Sequence, residues 1–293
     1  MNNESKERQT KEEPLTRGWL YSLRKVIKHK QGLVGGILVL IIVIMAIFAP
    51  YIAPRNPYER NVPRMLEAPS GEHWFGTDMQ GRDLFSQVIY GSRITLVAGL
   101  ASVLISMVLG VIIGIIAGFH GGRLDLFISA VIDFLLSFPT LILALIVVSI
   151  LGPGLNNAVL AVGFQGIPIF ARFIRGEVMV QKEVGYVEGS FALGASKFRL
   201  VFRHILPNII PSITVMATLE LPRVILMLAG LGFIGLGAQP PVLEWGRLMV
   251  SARDYFFLAP WLINFPGVAI MISVFGFNLL GNALRDVFDP SLQ

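Results

Sequence analysis

The 293-residue sequence contains no cysteine, so disulfide bridges, thiol catalysis and thiolate metal sites are excluded. Charged residues are also scarce, since they make up only 15% of the chain, against about 25% in an average soluble domain. Hydrophobic residues account for 54%. A charge deficit spread over most of the length indicates an integral membrane protein.

The motifs of common enzymes are missing as well. The sequence has no HExxH, GxSxG or EF-hand pattern, and none of its four histidines stands at metal-ligand spacing from another. It also lacks a GxxxxGK[ST] loop, so this chain cannot cradle the phosphates of ATP. We therefore expect a protein that is not an enzyme, holds no metal or cofactor and binds no nucleic acid. Any energy input must come from a partner that hydrolyses ATP or from an ion gradient.

The long hydrophobic runs predict an all-α, polytopic membrane protein with six transmembrane helices, each of about 20 residues. The N-terminal tail, 1–32, is polar and lacks a signal-peptide cleavage site, so we expect it to lead into an uncleaved span at 33–53. A loop at 54–93 follows, then a core at 94–284 with five spans, and a tail at 285–293. The core spans are expected at about 94–119, 126–150, 156–173, 209–237 and within 256–280.

The distribution of basic residues predicts the orientation of these spans. Lysine and arginine are concentrated in the N-terminal tail and in the segment 172–208, and the opposite orientation would place most of them outside. The positive-inside rule therefore places both termini in the cytoplasm. The loop 54–93 is then extracytoplasmic, and the segment between the fourth and fifth spans lies inside, next to membrane lipid.

That inner segment contains the sequence YVEGSFALGASKFRLVFRHILPN (Tyr186–Asn208). Its first part is compatible with a helix that Gly185 and Gly189 weaken, so support from a partner is expected. Gly194 then permits a turn. A basic amphipathic helix at the membrane surface is expected next, and Pro207 marks the bend back into the membrane. Four apolar residues are expected on one face of that helix: Phe198, Val201, Phe202 and Ile205.

Ionisable residues inside the predicted spans are candidate pathway residues, because charge in a membrane is costly. Asp133 either pairs with Arg172 or Arg175, or it lines the transport pathway. Glu220 and Arg223 are three residues apart on one helix face. They either neutralise each other beside a proline kink or face the pathway and sense the substrate.

Glycines recur every four residues at Gly110, Gly114 and Gly118. Small residues at this spacing let two membrane helices approach closely. Two interpretations are open: tight helix packing, or a helix that is mobile or lines the pathway.

The inner segment resembles the cytoplasmic motif of ABC-importer permeases, which reads E-A-A, three residues, G, nine residues, I, one residue, L-P. The two alanines are replaced by small residues, and His204 takes the isoleucine position. The resemblance implies that 184–207 is the loop that couples the chain to an ATPase, with a coupling helix near its start. The matching residues are Glu188, Gly189, Ser190, Gly194, Leu206 and Pro207.

Three further stretches resemble the C-type permease subunit of oligopeptide, dipeptide and nickel importers. They are HWFGTDMQGRDLFSQVIYGSRITL (His73–Leu96), FIGLGAQPPVLEWGRLM (Phe233–Met249) and RNPY after the first span. The resemblance implies a bacterial inner-membrane importer with four kinds of component. This chain would pair with a second, homologous permease; two cytoplasmic ABC ATPase subunits and an extracytoplasmic substrate-binding protein would complete the complex.

The expected cargo is short peptides, with nickel or a metal–chelator complex as the alternative. A secondary carrier without an ATPase is the rival class. Such a carrier should show inverted repeats or clustered intramembrane charges, and the sequence shows neither.

Overall fold

The computed structural model describes residues 25–26, 29–192 and 194–288. These residues form helices and loops, and the one β feature among them is an isolated bridge between Thr77 and Asp83. The all-α prediction is thus confirmed for the described part of the chain. The helices are α1 (Lys30–Ile47), α2 (Ala49–Ile52), α3 (Leu84–His120), α4 (Gly122–Leu136), α5 (Thr140–Leu151), α6 (Leu155–Lys182), α7 (Gly185–Ala192), α8 (Lys197–Phe233), α9 (Trp245–Ser251) and α10 (Trp261–Phe288).

Five of these helices are long and apolar enough to cross a membrane, namely α1, α3, α6, α8 and α10. A sixth span exists only if α4 and α5 are counted together, and these two helices meet at an angle of 91°. Pro139 causes the break, because proline disfavours helical backbone at the residue before it. The span expected at 126–150 is therefore a bent pair of helices.

The second and fourth spans extend well beyond their predicted limits. Helix α3 begins at Leu84, inside the stretch 54–93 that the sequence assigns to a loop. Asp83 caps it by accepting a hydrogen bond from the backbone N–H of Ser86. Helix α6 continues to Lys182, past the expected end at 173. Most of the predicted tail 1–32, and residues 289–293 of the predicted tail 285–293, lie outside the described residues.

The region around Pro207 differs from the predicted surface helix and bend. Helix α8 continues through this residue, because a wider π-helical turn at Leu200–Ile205 precedes it. Such a turn relieves the clash between a proline ring and the preceding turn of helix. The expected apolar face is wrong for the same stretch. Val201 and Ile205 are buried, whereas Phe198 and Phe202 are exposed, with ring centroids 4.3 Å apart.

The glycines of α3 pack directly against α6. A Cβ atom at Gly110 would lie 2.4 Å from the Cβ of Phe170, and one at Gly114 would lie 2.7 Å from the carbonyl oxygen of Ala171. Gly118 approaches the same helix one turn later. Since real Cβ atoms cannot come this close, the structure supports the interpretation of tight helix packing.

Helix α3 contains 37 residues and is about 55 Å long, so its two ends mark opposite ends of the helix bundle. We call the end that carries residues 53–83 and α9 the loop end. The other end, which carries α7, is called the α7 end. All further positions are described relative to these two ends.

Candidate functional site

Helix α7 is attached to the bundle by the buried side chain of Val187, which is only 2% exposed. This side chain enters an apolar cluster built from the last turns of α3 and α6 and the first turns of α8. Through this side chain α7 is in contact with three long helices at once. The buried members of the cluster are Phe119, Ile174, Val178, Val187, Leu200, Val201, Ile205, Ile209 and Ile213.

Polar contacts add a second attachment. Asn208 Nδ2 donates to the hydroxyl of Tyr186 at 2.6 Å and to the carbonyl oxygen of His204 at 2.5 Å. At the end of α6, Lys182 Nζ donates to the carbonyl oxygen of Phe119 at 3.0 Å. These bonds tie both ends of the inner loop to the bundle.

The predicted coupling residues lie on and just after α7. Gly189 is exposed, and a Cβ atom there would meet nothing within 4 Å. Ser190 donates to the carbonyl oxygen of Tyr186 at 2.8 Å. Gly194 follows with φ of +87°, a conformation that favours glycine. Glu188 lies within α7, but its side chain is outside the described part of the structure.

Leu206 and Pro207 begin the regular α-helical part of α8. Leu206 is partly buried against the Val187 cluster, and Pro207 is exposed. The structure therefore brings Leu206 to the same cluster as α7. Val187 itself was not predicted, although apolar residues recur at helical spacing at Val184, Val187 and Phe191.

Two salt bridges join α4 to α6. Asp133 contacts Arg172, one of the two partners expected for it, and both side chains are more than half exposed. The second bridge was not predicted: Arg175 donates to both carboxylate oxygens of Asp125, at 2.5 and 2.8 Å. Its bidentate geometry and greater burial make it the stronger tie.

Glu220 and Arg223 form a salt bridge of 2.6 Å within α8. Arg223 Nη1 also donates to Oε1 of Gln165 on α6 at 3.2 Å, and Gln165 is only 1% exposed. Arg223 Nη2 is buried and has no hydrogen-bond partner among the described residues. Gln165 was not predicted from the sequence. The signal that could have identified it is a polar amide side chain within a long uncharged run.

The arginine of this cluster remains 31% exposed. The covered sides of α8 pack against α3, α6, α9 and α10. A charged guanidinium on the open side would be costly in lipid. The open side around Arg223 is therefore suited to water or to another protein rather than to acyl chains.

At the loop end, Glu244 caps α9 and is 2% exposed. Its carboxylate accepts hydrogen bonds from the backbone N–H groups of Gly246 and Arg247, both at 3.0 Å, and from the hydroxyl of Thr95 at 3.3 Å. Burial raises the pKa of Glu244, although these three hydrogen bonds act in the opposite direction. Glu244 thus links α9 to α3.

The helices long enough to cross a membrane, together with the short helix α7 at one end of the bundle, are those of a membrane protein, and comparison with known proteins gives its class. Residues 110–293 match the model of the binding-protein-dependent transport system inner membrane component. Residues 19–69 match the N-terminal transmembrane domain of oligopeptide transport permease C. The chain belongs to this family of ABC-importer permeases and is a multi-pass protein of the bacterial inner membrane.

Two named permeases align with nearly the whole length of this chain. The dipeptide transport system permease protein DppC of Alkalihalophilus pseudofirmus is 41% identical over 275 residues, which cover 94% of this chain and 90% of the relative. The glutathione transport system permease protein GsiD of Pectobacterium atrosepticum is 39% identical over 278 residues, with 94% and 92% covered.

The fold also resembles that of a solved ABC transporter chain. A chain of the MetNI methionine ABC transporter, in an inward-facing conformation, superposes with a TM-score of 0.58 at 22% identity. The match covers 70% of this chain and 97% of the other. At this identity the likeness supports the fold.

Proposed function

We propose that this chain is the C-type permease subunit of an ATP-driven importer for short peptides. The match of residues 19–69 to an oligopeptide permease domain supports this proposal. The names of the two relatives above refer to dipeptides and glutathione, which favours peptides over nickel or a metal chelate. The chain would form half of the pathway, together with a second permease, two ATPase subunits and an external binding protein.

The observation that carries the proposal is the construction of α7. This helix is buried through Val187 but leaves Gly189 open to the surroundings. An eight-residue helix that contains glycine is too short to be stable by itself. We therefore propose that α7 is the coupling helix, that an ATPase subunit covers it, and that both termini lie on the same cytoplasmic side.

Cysteine cross-linking tests this placement cleanly, because the native chain has no cysteine. Ser190→Cys should cross-link to the ATPase subunit, and Gly71→Cys at the loop end should be reached only by reagents on the outer face. Gly71 is a suitable control because it is exposed and has open space around it. Cross-linking of Gly71→Cys to the ATPase would invert the proposed orientation.

Gly194→Leu tests the coupling turn. A leucine at φ of +87° is strained, by about 1–2 kcal/mol, while no neighbouring atom blocks it. We expect the variant to insert and assemble but to lose ATP-driven uptake of a labelled dipeptide. Normal uptake would show that the turn at Gly194 is not required for coupling.

We further propose that Glu220 and Arg223 face the pathway and meet the peptide as it passes. Their support is the open side of Arg223, which is unsuited to lipid. The contact between Asp133 and Arg172 favours a structural role for that carboxylate instead. Arg223→Gln should lower uptake strongly, because it leaves Glu220 without its ion partner.

The double variant Glu220→Gln, Arg223→Gln separates assembly from transport. It removes both charges, so no unpaired carboxylate remains, and it should assemble as the wild type does while uptake of the dipeptide stays altered. Arg253→Gln is the control, since Arg253 is exposed and lies outside the long helices. Uptake equal to that of the wild type in the double variant would show that these charges serve folding alone.

The class of transporter is tested by the energy source. Dipeptide uptake in vesicles should stop when ATP is depleted and continue when the ion gradient is collapsed. The reverse result would indicate a secondary carrier. Nickel uptake in the same vesicles, in place of dipeptide uptake, would assign the alternative cargo.

A further inference from the structure

A groove of about 430 Å³ lies between α3 and the first turns of α6, near the loop end. Its volume falls within the range of sites that hold small ligands. We call it the α3–α6 groove. Its main lining residues are Arg93, Val97, Ala101, Leu155 and Val159.

Arg93 marks the boundary of the apolar part of α3. The helix from Ile94 to Phe119 is uncharged and longer than the about 20 residues that a span requires. Arg93 stands directly before this run, at the level where a membrane meets its headgroups. Its side chain is exposed and makes no ion pair or hydrogen bond with any residue that the structure describes.

The walls of the groove below Arg93 are mainly apolar, with Asn156 at the start of α6 as a polar exception. Val97 and Ala101 follow Arg93 at intervals of four residues, so all three lie along one side of α3. Leu155 and Val159 provide the opposite wall from α6. The groove thus has a single positive charge at one end and a mainly hydrocarbon surface along its length.

The groove continues into a surface suited to lipid. Below it, α3 exposes a stripe of apolar side chains that includes Leu104, Val108 and Ile112. A water-filled route for a zwitterionic peptide would need polar groups along such a stripe, because charged and polar groups are costly to desolvate. Two tyrosines at the rim, Tyr58 and Tyr90, are typical of the membrane–water interface.

We propose that the α3–α6 groove binds one anionic glycerophospholipid. The phosphate would accept hydrogen bonds from the guanidinium of Arg93, and an acyl chain would lie along Val97, Ala101 and Val159. No carboxylate lines the groove, so nothing there would neutralise the ammonium of a zwitterionic headgroup. The site therefore favours a lipid with net negative charge.

Native mass spectrometry of the purified full-length chain tests this site. The chain is titrated with phosphatidylglycerol and, separately, with phosphatidylethanolamine. Wild-type protein should bind phosphatidylglycerol more tightly. Arg93→Gln should weaken that binding about fivefold to tenfold, as expected for loss of one charge-assisted contact. Arg60→Gln, which alters an exposed arginine in the loop, should bind as the wild type does.

A second variant tests the acyl-chain part of the site. Ala101→Trp fills the groove and should reduce binding of both lipids, while Arg93 remains in place. Equal phosphatidylglycerol binding by Arg93→Gln and Arg60→Gln would overturn the proposal. In the assembled transporter, cross-linking of Val97→Cys to the second permease instead of to a photoactivatable lipid would overturn it too.

Discussion

His73 and Asp83 at the loop end have side chains that are 3% and 2% exposed, whereas Tyr186 and Gly189 at the α7 end are exposed. The buried pair is joined by a hydrogen bond of 2.9 Å. Asp83 also accepts bonds from the backbone N–H and the hydroxyl of Ser86, at 2.8 and 2.7 Å. The loop end is thus fixed from within.

Further contacts join the loop end to distant helices. The ring of Phe75 stacks on that of Phe265 in α10, with centroids 3.8 Å apart. Trp245 Nε1 in α9 donates to the carbonyl oxygen of Val88 in α3 at 2.9 Å. Among the described residues, the α7 end is held by the Val187 cluster, by a few bonds at the edges of its loop and by the salt bridge between Arg175 and Asp125.

The difference indicates two mechanical roles. The loop end holds the starts of α3 and α10 in a fixed arrangement, because buried hydrogen bonds join His73, Asp83 and Ser86 and an aromatic stack joins Phe75 to α10. The α7 end leaves helix surface and glycines uncovered, so its stability depends on whatever binds there. Mutations should therefore affect folding at the loop end and partner-dependent activity at the α7 end.

Asp83→Ala should produce the largest loss of stability. It removes the N-cap of α3 and the partner of a buried histidine, so we expect unfolding to become easier by about 3 kcal/mol. Asp254→Ala is the control, because Asp254 is exposed in the loop before α10. Unfolding by sodium dodecyl sulfate in mixed micelles measures both variants, and equal midpoints would contradict a fixed loop end.

Val187→Ala should have a smaller effect on stability, about 1–2 kcal/mol for the methyl groups lost from the cluster. Its effect on transport should be larger, because α7 would lose part of its buried contact with α3, α6 and α8. We expect ATP hydrolysis by the assembled complex to continue while uptake of a dipeptide falls. Transport and hydrolysis are measured together in proteoliposomes.

Val184→Ala provides the matched control for that variant. Val184 lies three residues earlier and is 37% exposed, so its truncation removes little buried contact. Both activities should stay near the wild-type level. A similar loss of uptake in both variants would show that Val187 has no special part in transmission.

Much of the architecture could be predicted from the sequence, because hydrophobic length and glycine spacing act locally. The spacing of Gly110 and Gly114 indicates close helix packing as one of two interpretations, whereas the partner helix α6 is identified only by the structure. The bend between α4 and α5 was not predicted. Pro139 lies within a long uncharged run, and composition alone does not give the angle between two consecutive helices.

The contacts of the candidate site were less predictable. The pairing of Glu220 with Arg223 follows from their spacing on one helix. The partner Gln165 is 58 residues away in sequence from Arg223, so only the packing of α6 on α8 brings it there. The apolar face expected for 198–205 was wrong because a π-helical turn changes the helical period locally.

Two carboxylates at the loop end, Glu244 and Glu72, should differ in the sign of their pH dependence. Burial raises the pKa of Glu244 above its unfolded value, so its contribution to stability is complete at low pH and is lost as pH rises through the folded pKa. The pKa of Glu72 is lowered by the hydrogen bond from Arg64, so its contribution is lost as pH falls. Glu244→Gln should therefore become more stable relative to the wild type as pH rises.

Glu72→Gln is the comparison for this experiment and should show the opposite sign with a weaker slope, because Glu72 is exposed. Detergent unfolding midpoints at a series of pH values measure both slopes. Parallel curves for Glu244→Gln and wild type would mean that Glu244 carries no proton-linked stability.

Gly189→Ala should have the smallest effect on the isolated chain and is the sharpest test of the α7 end. The added methyl group meets nothing within 4 Å, so the better helix propensity of alanine should stabilise α7 by up to about 1 kcal/mol. In the complete transporter the same methyl group would occupy space reserved for the ATPase, and uptake should fall. Gly176→Ala in α6 is the control, because that helical glycine also has open space around it. A fall in uptake for Gly189→Ala alone locates the partner contact on α7, whereas an equal fall in both variants would assign it to helix stiffness.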